Sequence, residues 1–274
     1  MKSPNKYTNP GAWYETGWCG SCFGDRLITA YIVNILNYIG IPTRFRCPQR
    51  IRKLTNVTKH YPDWKQFDDK RKVFTKITSL KYNVKSNIVH DRLDAFLTKS
   101  KIWTTSARTI LRDIGSEKIR ELHPVADVEI DNNIQPYDVC LVTQTGDFTP
   151  YRNWPYFDDL KAILTKNNIT YIDLSAEKIL GQDFLRHVKN CKAYVGLETG
   201  ASHYAAPFCR HKGIIIQSGY VPYRYWAPYY DFTCLDRDME CSPCMLRSGC
   251  GYDHGCMKDT LPEQVLDSIQ EIIK

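Results

Sequence analysis

The sequence predicts an α/β protein built on a doubly wound, parallel sheet. Strand-like and helix-like segments alternate along the C-terminal half, and this alternation requires parallel strands joined by right-handed crossovers. With 274 residues, the chain is long enough for one large or two ordinary domains with their own cores. It therefore needs no cross-links to fold, and its eleven cysteines require another explanation.

The C-terminal half has the clearest pattern. Short β-rich runs predict four strands, and segments with apolar residues at helical spacing predict three helices between them. The predicted strands are 137–143, 169–174, 192–197 and 213–218, and the predicted helices are 156–167, 176–190 and 201–209. Ligands of such sheets bind at the carboxyl ends of the strands, so the turns that follow the strands are candidate sites.

The N-terminal half repeats this pattern less distinctly. Residues 26–40 place seven apolar side chains on one stripe and end at Gly40 before Pro42, which predicts a helix. Weaker signals predict strands at 43–48 and 72–77 and a helix within 102–114.

A polar stretch divides the two halves. Residues 122–136 combine two prolines with a cluster of turn-forming side chains. We therefore expect two domains, 1–130 and 131–274.

Charge is distributed unevenly along the chain. The formal net charge is +7, but residues 41–122 hold twenty Lys and Arg against eight Asp and Glu, whereas 123–274 hold fourteen against twenty. Such a basic surplus indicates either a solvated surface or a face that meets a phosphate-rich partner.

The sequence favours a cytoplasmic protein. Its first ten residues lack the apolar core and cleavage site of a secretory signal, and its cysteines are odd in number. The longest apolar stretch, roughly 27–41, contains two asparagines and is too short to span a bilayer.

Three turns contain the candidate binding and catalytic residues. The first, Gly20-Ser-Cys-Phe-Gly24-Asp25, precedes the first long helix, where glycines admit a ligand and helix-start amides favour an anion. Asp25 has a second interpretation, because Asp is also a preferred helix N-cap.

The other two turns follow predicted strands. Residues 198–203 (ETGASH) lie between a strand and a helix, where doubly wound domains bind phosphate groups. His203 could donate to a diphosphate there, although a lone His on a short helix is often structural. The third turn begins at Thr145-Gly146-Asp147 and leads to Arg152. Arg152 is either a surface charge or a side chain that faces a ligand-binding cleft.

These motifs together resemble glycosyltransferase family 9, the ADP-heptose:lipopolysaccharide heptosyltransferases. The strings VGLETGASHYAAPF and KGIIIQSGYVPYRYWAPY, the late cysteines and LPEQVLDSI resemble the family's C-terminal half. CFGDRLITAYIVNIL and YRNWPYFDDLKAIL are similar to its Gly-Asp loop and to its Trp-Pro helix start. The resemblance covers about 137–270 and 19–40, with no match between them.

The resemblance implies a GT-B fold with two Rossmann-like domains facing a cleft. The N-terminal domain, here shortened, would bind the acceptor, and the C-terminal domain, which ends in a cysteine-rich loop and a helix, would bind a nucleotide-sugar. The reaction implied is an inverting single displacement without a catalytic metal.

It also implies roles for individual residues. Asp25 matches the general base that takes the proton of the acceptor hydroxyl, and amides with cations would stabilise the departing diphosphate. The matching donor-site residues are Arg152, Glu198, Thr199, Gly200, Ser202 and His203, and the anion-binding loop contains Gly20 and Gly24. Glu198 replaces the family's usual Asp and Arg152 its common Lys, which leaves the donor sugar and base open.

Four late cysteines predict a metal site. The spacing Cys241-x2-Cys244-x5-Cys250-x5-Cys256 resembles a closed four-thiolate site, with Cys234 as a spare ligand. The first pair alone would indicate a redox couple. Thiolates favour both zinc and iron, and the resembling family has an iron-binding finger of this kind. A closed site leaves no position for substrate, so its role would be structural.

Several acceptors stay open. One is a phosphorylated glycolipid such as a lipopolysaccharide core, another a hydroxymethylated base in DNA, and a third a protein hydroxyl. For DNA, the aromatic candidates are Trp64, Phe67, Phe74, Tyr82 and Trp103, which could equally be core residues. A different class is a non-catalytic nucleic-acid-binding protein with a metal ribbon.

Overall fold

The structure is a computed structural model in which the chain forms two compact units, Met1–Ala126 and Asp127–Lys274. Each unit contains a parallel β-sheet, as the alternating pattern predicts. The residues described are 13–18, 23–46, 72–77, 86–100, 106–125, 127–131, 133–146, 150–227, 229–237, 239–246 and 250–274.

The first unit contains a three-stranded sheet of order β2-β1-β3. Its strands are β1 (Trp13–Trp18), β2 (Thr43–Arg46) and β3 (Lys72–Ile77). Tyr14 of the central strand is in register with Thr43 on one side and with Val73 on the other. The strand order therefore reverses beside β1, and the carboxyl end of β1 is where such a sheet opens a crevice.

The described residues of the first unit include four helices. They are α1 (Phe23–Tyr38), α2 (Ile88–Lys99), α3 (Ala107–Ile114) and α4 (Ser116–Glu121). Most of α1 is buried, and the chain turns at Gly40, whose φ of 84° is a left-handed conformation that glycine adopts without strain. The predicted helix at 26–40 and the strand at 72–77 are confirmed, and the strand predicted at 43–48 is confirmed for 43–46, while 47–48 lie outside the described residues. The helix predicted within 102–114 is α3, whereas β1, α2 and α4 were not predicted.

Polar caps and buried bonds fix these helices. The side chains of Asn87 and Ser106 accept backbone N–H bonds at the starts of α2 and α3. Within the core, the Tyr31 hydroxyl donates to the Ile119 carbonyl and the Asn34 amide donates to the Leu122 carbonyl at 3.0 Å. These bonds attach α1 to the α4 region.

The second unit contains a five-stranded sheet of order β5-β4-β6-β7-β8, parallel throughout. Its strands are β4 (Val139–Leu141), β5 (Tyr171–Asp173), β6 (Ala193–Leu197), β7 (Gly213–Ile216) and β8 (Phe232–Leu235). All four predicted strands are confirmed and β8 is an addition. The order reverses between β4 and β6, which is the topological switch point of the sheet.

The described part of the second unit also includes six α-helices. They are α5 (Phe157–Lys166), α6 (Gly181–Asn190), α7 (Gly200–Ala205), α8 (Tyr223–Trp226), α9 (Gly255–Lys258) and α10 (Pro262–Ile273). A 3-10 turn, Ala206–Phe208, extends α7, so the predicted helix at 201–209 is present in two parts.

The predicted helix at 176–190 begins later than expected, at Gly181. The Asp173 carboxylate accepts bonds from the N–H groups of Ser175 and Ala176, at 3.0 and 3.1 Å. This local bonding holds the chain in a turn instead of a helix.

The core of the second unit lies around β6 and β7, whose residues are all buried. Trp154 is 2% exposed, donates from Nε1 to the Thr260 carbonyl at 2.8 Å and packs edge-on against Phe157. It thereby joins the start of α5 to the segment before α10. Across the described ranges, none of the helices has both the length and the apolar character needed to cross a bilayer.

Candidate active site

The switch point of the second sheet brings together two of the predicted turns. Arg152 belongs to the segment that follows β4, and Glu198 directly follows β6, so both lie at the carboxyl edge between these strands. The Asn153 side chain accepts from the Thr145 N–H at 2.7 Å, which joins two described parts of the segment that follows β4. Crevices at this position are where doubly wound sheets bind ligands.

Glu198 is the centre of this arrangement. It is 1% exposed, and Arg152 Nη1 lies 3.3 Å from its Oε1 and 3.1 Å from its carbonyl oxygen. The hydroxyl of Ser218 and the amide of Gln217 also donate to its carboxylate. One buried carboxylate therefore connects the segments that follow β4, β6 and β7.

Burial raises the pKa of Glu198 to about 7, because the interior disfavours its charged form; the Arg152 charge and the Ser218 hydrogen bond offset only part of this effect. The carboxyl group therefore changes charge near neutral pH. Sequence reasoning named Glu198 but gave no role to its partners Gln217 and Ser218, although both lie in the string KGIIIQSGYVPYRYWAPY that carries part of the resemblance.

The remaining residues of the 198–203 turn have different positions. Thr199 precedes α7, and its hydroxyl is buried without a hydrogen-bond partner among the residues the structure describes. Gly200 begins the helix. Ser202 is fully buried, where its hydroxyl donates to the Leu197 carbonyl at 2.7 Å and pairs with the Tyr194 hydroxyl at 2.8 Å. Ser202 thus holds α7 against β6.

His203 is buried in an aromatic cluster. Its Nδ1 lies 3.0 Å from the Tyr230 hydroxyl, and its ring centroid lies 4.5 Å from that of Trp226. Burial lowers the pKa of His203 to about 3, because the site disfavours the charged imidazolium. His203 is therefore neutral at physiological pH and can offer a hydrogen bond but no positive charge.

The opposite pKa shifts of Glu198 and His203 predict a specific pH dependence of stability. The folded chain binds the Glu198 proton more tightly than the unfolded chain, so this residue adds stability as pH falls from about 7 to 4.5. His203 removes stability as pH falls from 6.5 towards 3, because the unfolded chain binds its proton more tightly. The two effects oppose each other between pH 6.5 and 4.5.

We expect Glu198→Gln to remove the first effect, so the variant should lose stability more steeply than the wild type over that interval. Urea unfolding at several pH values measures this difference. Parallel pH profiles for the two proteins would contradict the assignment.

In the first unit, Asp25 is the third residue of α1, the helix that follows the central strand β1. Because the helix begins at Phe23, the N-cap interpretation of Asp25 is wrong. Its Oδ1 lies 2.7 Å from Nη2 of Arg92, which is 3% exposed on α2, whereas Asp25 itself is 28% exposed. Gly24 is the second residue of α1, and Gly20 lies outside the described residues.

Arg92 is a functional candidate that sequence reasoning missed. It lies 67 residues from Asp25 within the basic segment, where one arginine looks like the others. Its burial is the distinguishing feature, since arginines are almost never fully buried unless paired. Only the tertiary structure supplies that information.

The four late cysteines line one cavity together with Tyr151 and Tyr220. The cavity measures about 20 Å³, room for about one water molecule. The Gly219 N–H donates to the sulfur of Cys256, and burial raises the pKa of that thiol. Within the described part of the chain, no three His, Cys, Asp or Glu side chains are arranged as a metal-binding group, so the predicted metal loop is not confirmed. Neither the four cysteines nor Cys234 on β8 forms a disulfide within the described residues.

Comparison with known proteins gives a likeness of fold. No family model matches the chain, and no curated protein matches it. The chain resembles the solved structure of Escherichia coli ADP-heptose lipopolysaccharide heptosyltransferase II with a TM-score of 0.62 and 11% identity, over 95% of this chain and 98% of that one.

Two further solved structures resemble the chain. A glycosyltransferase family 9 protein from Veillonella parvula has a TM-score of 0.58 and 9% identity, over 97% of this chain and 98% of that one. The iron-containing dodecameric glycosyltransferase TibC from enterotoxigenic E. coli has a TM-score of 0.59 and 12% identity, over 95% and 76%. TibC has also been solved with ADP-D-β-D-heptose. The predicted resemblance to family 9 is confirmed at the level of the fold.

Proposed function

We propose that this protein is an inverting glycosyltransferase that moves a sugar from a nucleotide-diphosphate-sugar to an acceptor hydroxyl. The observation that carries the proposal is the paired placement of Asp25 and of the Glu198–Arg152 pair. Each lies beyond the carboxyl end of a strand next to a point of strand-order reversal, in a chain whose fold resembles heptosyltransferases.

In this reaction, the second unit holds the donor. The departing nucleotide diphosphate gains negative charge as the glycosidic bond breaks, and a cation placed beforehand stabilises that charge. Arg152 supplies the cation, while the buried Glu198 orients its guanidinium. The Thr199 hydroxyl, which has no hydrogen-bond partner in the described part of the chain, and the start of α7 offer hydrogen-bond donors to the same group. Neutral His203 adds a further donor, so no catalytic metal is needed.

The first unit supplies the base. Asp25 takes the proton of the acceptor hydroxyl as the oxygen attacks the anomeric carbon from the face opposite the leaving group, which inverts the configuration. The guanidinium of Arg92 holds one oxygen of the carboxylate at 2.7 Å and so limits its rotation. Arg92 is therefore a positioning residue for the proposed base.

A phosphorylated glycolipid of the lipopolysaccharide-core type is the acceptor we favour, because it combines sugar hydroxyls with the negative charge that the basic segment 41–122 would attract. Of the aromatic candidates for DNA, Phe74 lies on β3, whereas Trp64, Phe67, Tyr82 and Trp103 lie outside the described residues. The described residues favour neither a DNA base nor a protein hydroxyl. The non-catalytic metal-ribbon alternative leaves the whole-chain likeness to sugar transferases without an explanation.

A transfer assay tests this function. Purified protein is mixed with ADP-heptose and other nucleotide-sugars in the presence of a phosphorylated lipopolysaccharide core, with hydroxymethylated duplex DNA as the alternative acceptor, and products are weighed by mass spectrometry. We expect one sugar increment on the glycolipid. A sugar increment on DNA would identify DNA, and not the glycolipid, as the acceptor. The absence of both transfer and donor hydrolysis across the panel would contradict the proposed glycosyltransferase activity.

We further propose that Cys241, Cys244, Cys250 and Cys256 hold one structural zinc or iron ion. Three observations support this fit: the four thiols line one cavity, its volume suits a single ion, and the buried Tyr151 hydroxyl that lines it has no partner among the described residues. A metal-bound thiolate would accept the Tyr151 hydrogen bond, as it would the Gly219 N–H. The metal would cross-link the irregular loop that contains these four cysteines.

Elemental analysis of the purified chain checks the metal assignment. We expect one metal ion per chain and a lower melting temperature for Cys244→Ser, because the loop loses its cross-link. Cys234→Ser, on β8 and away from the cavity, is the matched control. Metal-free protein with unchanged stability in Cys244→Ser would contradict the assignment.

A further inference from the structure

We propose that the four-cysteine cavity positions the donor site, so that metal occupancy of the cavity sets the affinity for a nucleoside diphosphate. The inference rests on the proposed function, because it concerns the same Glu198–Arg152 pair. Two separate stretches of chain connect the cysteine cavity to the Glu198–Arg152 pair. In each stretch, one residue contributes to the cavity and its neighbour contributes to the pair.

The first connection is Tyr151–Arg152. Tyr151 lines the cysteine cavity, where its ring stacks on His254 with centroids 5.3 Å apart and planes 23° from parallel. The next residue, Arg152, binds the Glu198 carboxylate and carbonyl. A shift of Tyr151 at the cavity wall therefore moves the cation that would meet the diphosphate.

The second connection is Ser218–Tyr220. Ser218 donates its hydroxyl to Glu198, whereas the carbonyls of the next two residues accept backbone bonds from the cysteine loop. Gly219 accepts from Cys244 N–H at 2.9 Å, and Tyr220 accepts from Met245 N–H at 3.1 Å. The backbone of this stretch is thus part of the cavity wall while its first side chain belongs to the donor site.

The two connections meet at Arg152. The Tyr220 ring lines the cavity and also lies under the Arg152 guanidinium, 5.2 Å from ring centroid to the guanidinium carbon. Arg152 is therefore held on one side by Glu198 and on another by an aromatic wall of the cysteine cavity. If the four thiols are drawn together by an ion, this wall is ordered before the donor arrives.

Prior ordering strengthens binding, because the ligand then does not have to immobilise the segments itself. Coupling between two sites is reciprocal: a metal that tightens nucleotide binding by some factor is itself bound tighter by that factor when the nucleotide is present. Couplings of this kind are typically about 5- to 150-fold.

The test is titration calorimetry of ADP into the full chain, once loaded with Zn²⁺ and once stripped by a chelator under reducing conditions. We expect ADP to bind the stripped chain at least about fivefold more weakly than the loaded chain, and Zn²⁺ to bind more tightly with ADP present. Circular dichroism establishes that the stripped chain is folded.

Two variants of the Zn²⁺-loaded protein test whether the cysteine cavity affects ADP affinity, even if the metal-free chain unfolds. Tyr220→Leu removes the ring between the cavity and Arg152, whereas Tyr252→Leu alters a tyrosine of the same loop that is 54% exposed and does not line the cavity. We expect weaker ADP binding in Tyr220→Leu at unchanged Zn²⁺ stoichiometry, and wild-type affinity in Tyr252→Leu.

The possible failures are distinguishable. Equal ADP affinity in Tyr220→Leu and wild type would overturn the coupling and leave the donor site in place. A chain that takes up no Zn²⁺ would overturn the coupling and the metal site while the transferase proposal stands. A Zn²⁺-loaded wild type that binds no ADP, and none of the other nucleoside diphosphates, would overturn the donor site and the coupling together.

Discussion

Asp25→Ala is expected to reduce sugar transfer by about 10²- to 10⁴-fold, the usual contribution of a positioned general base. Nucleotide binding should persist, because the donor-site residues belong to the second unit, whereas Asp25 belongs to the first. The turnover number should therefore fall while the donor dissociation constant changes little. Steady-state kinetics and ADP titration measure the two quantities separately.

Asp25→Asn is the matched control for this result. It preserves the shape of the side chain and a hydrogen-bond acceptor for Arg92, but an amide does not take up a proton at neutral pH. We expect the Asp25→Asn variant to be nearly as inactive as Asp25→Ala but to retain more of the stability of the wild type. Near-normal turnover in either variant would show that another group accepts the proton.

Arg152→Met is expected to impair both turnover and stability, for two different reasons. Turnover falls because the leaving diphosphate loses its cation. Stability falls because the variant leaves the Glu198 carboxylate, 1% exposed, without its charged partner, and breaking a buried pair in this way costs about 3–5 kcal/mol. The loss should be larger at pH 8 than at pH 6, since the pKa of Glu198 is raised to about 7 and protonation removes the unpaired charge.

The double variant Arg152→Met/Glu198→Gln separates these two effects. Without a charge at either position, most of the lost stability should return, because neither side chain then carries a buried, unpaired charge. Turnover should stay low, because the cation is still absent. Urea unfolding and the transfer assay provide the two measurements, and recovery of both quantities would exclude Arg152 from leaving-group stabilisation.

Much of the second unit was predictable because its signals are local. Fully buried parallel strands are short apolar runs, and the glycine-containing turns after them mark the carboxyl edge of the sheet. Glu198 and Arg152 were named for this reason, whereas Asp25 was named from the glycine-containing turn that precedes the first long helix. The later start of α6 was missed, because the Asp173 side chain redirects the chain through bonds to backbone N–H groups, a competition that hydrophobic spacing does not reveal.

What the sequence determined by itself was the alternating α/β order, the candidate residues at strand ends and the cluster of four cysteines, since each depends on neighbours in the chain. The tertiary structure alone decided the pairing of Asp25 with Arg92, the bonds from Gln217 and Ser218 to Glu198, and the common cavity of the cysteines. The side-chain contacts join residues 19 to 67 positions apart in the sequence, and the cavity depends on how the cysteine loop folds. Their energies depend on burial and on the distance between charges, which only the folded chain defines.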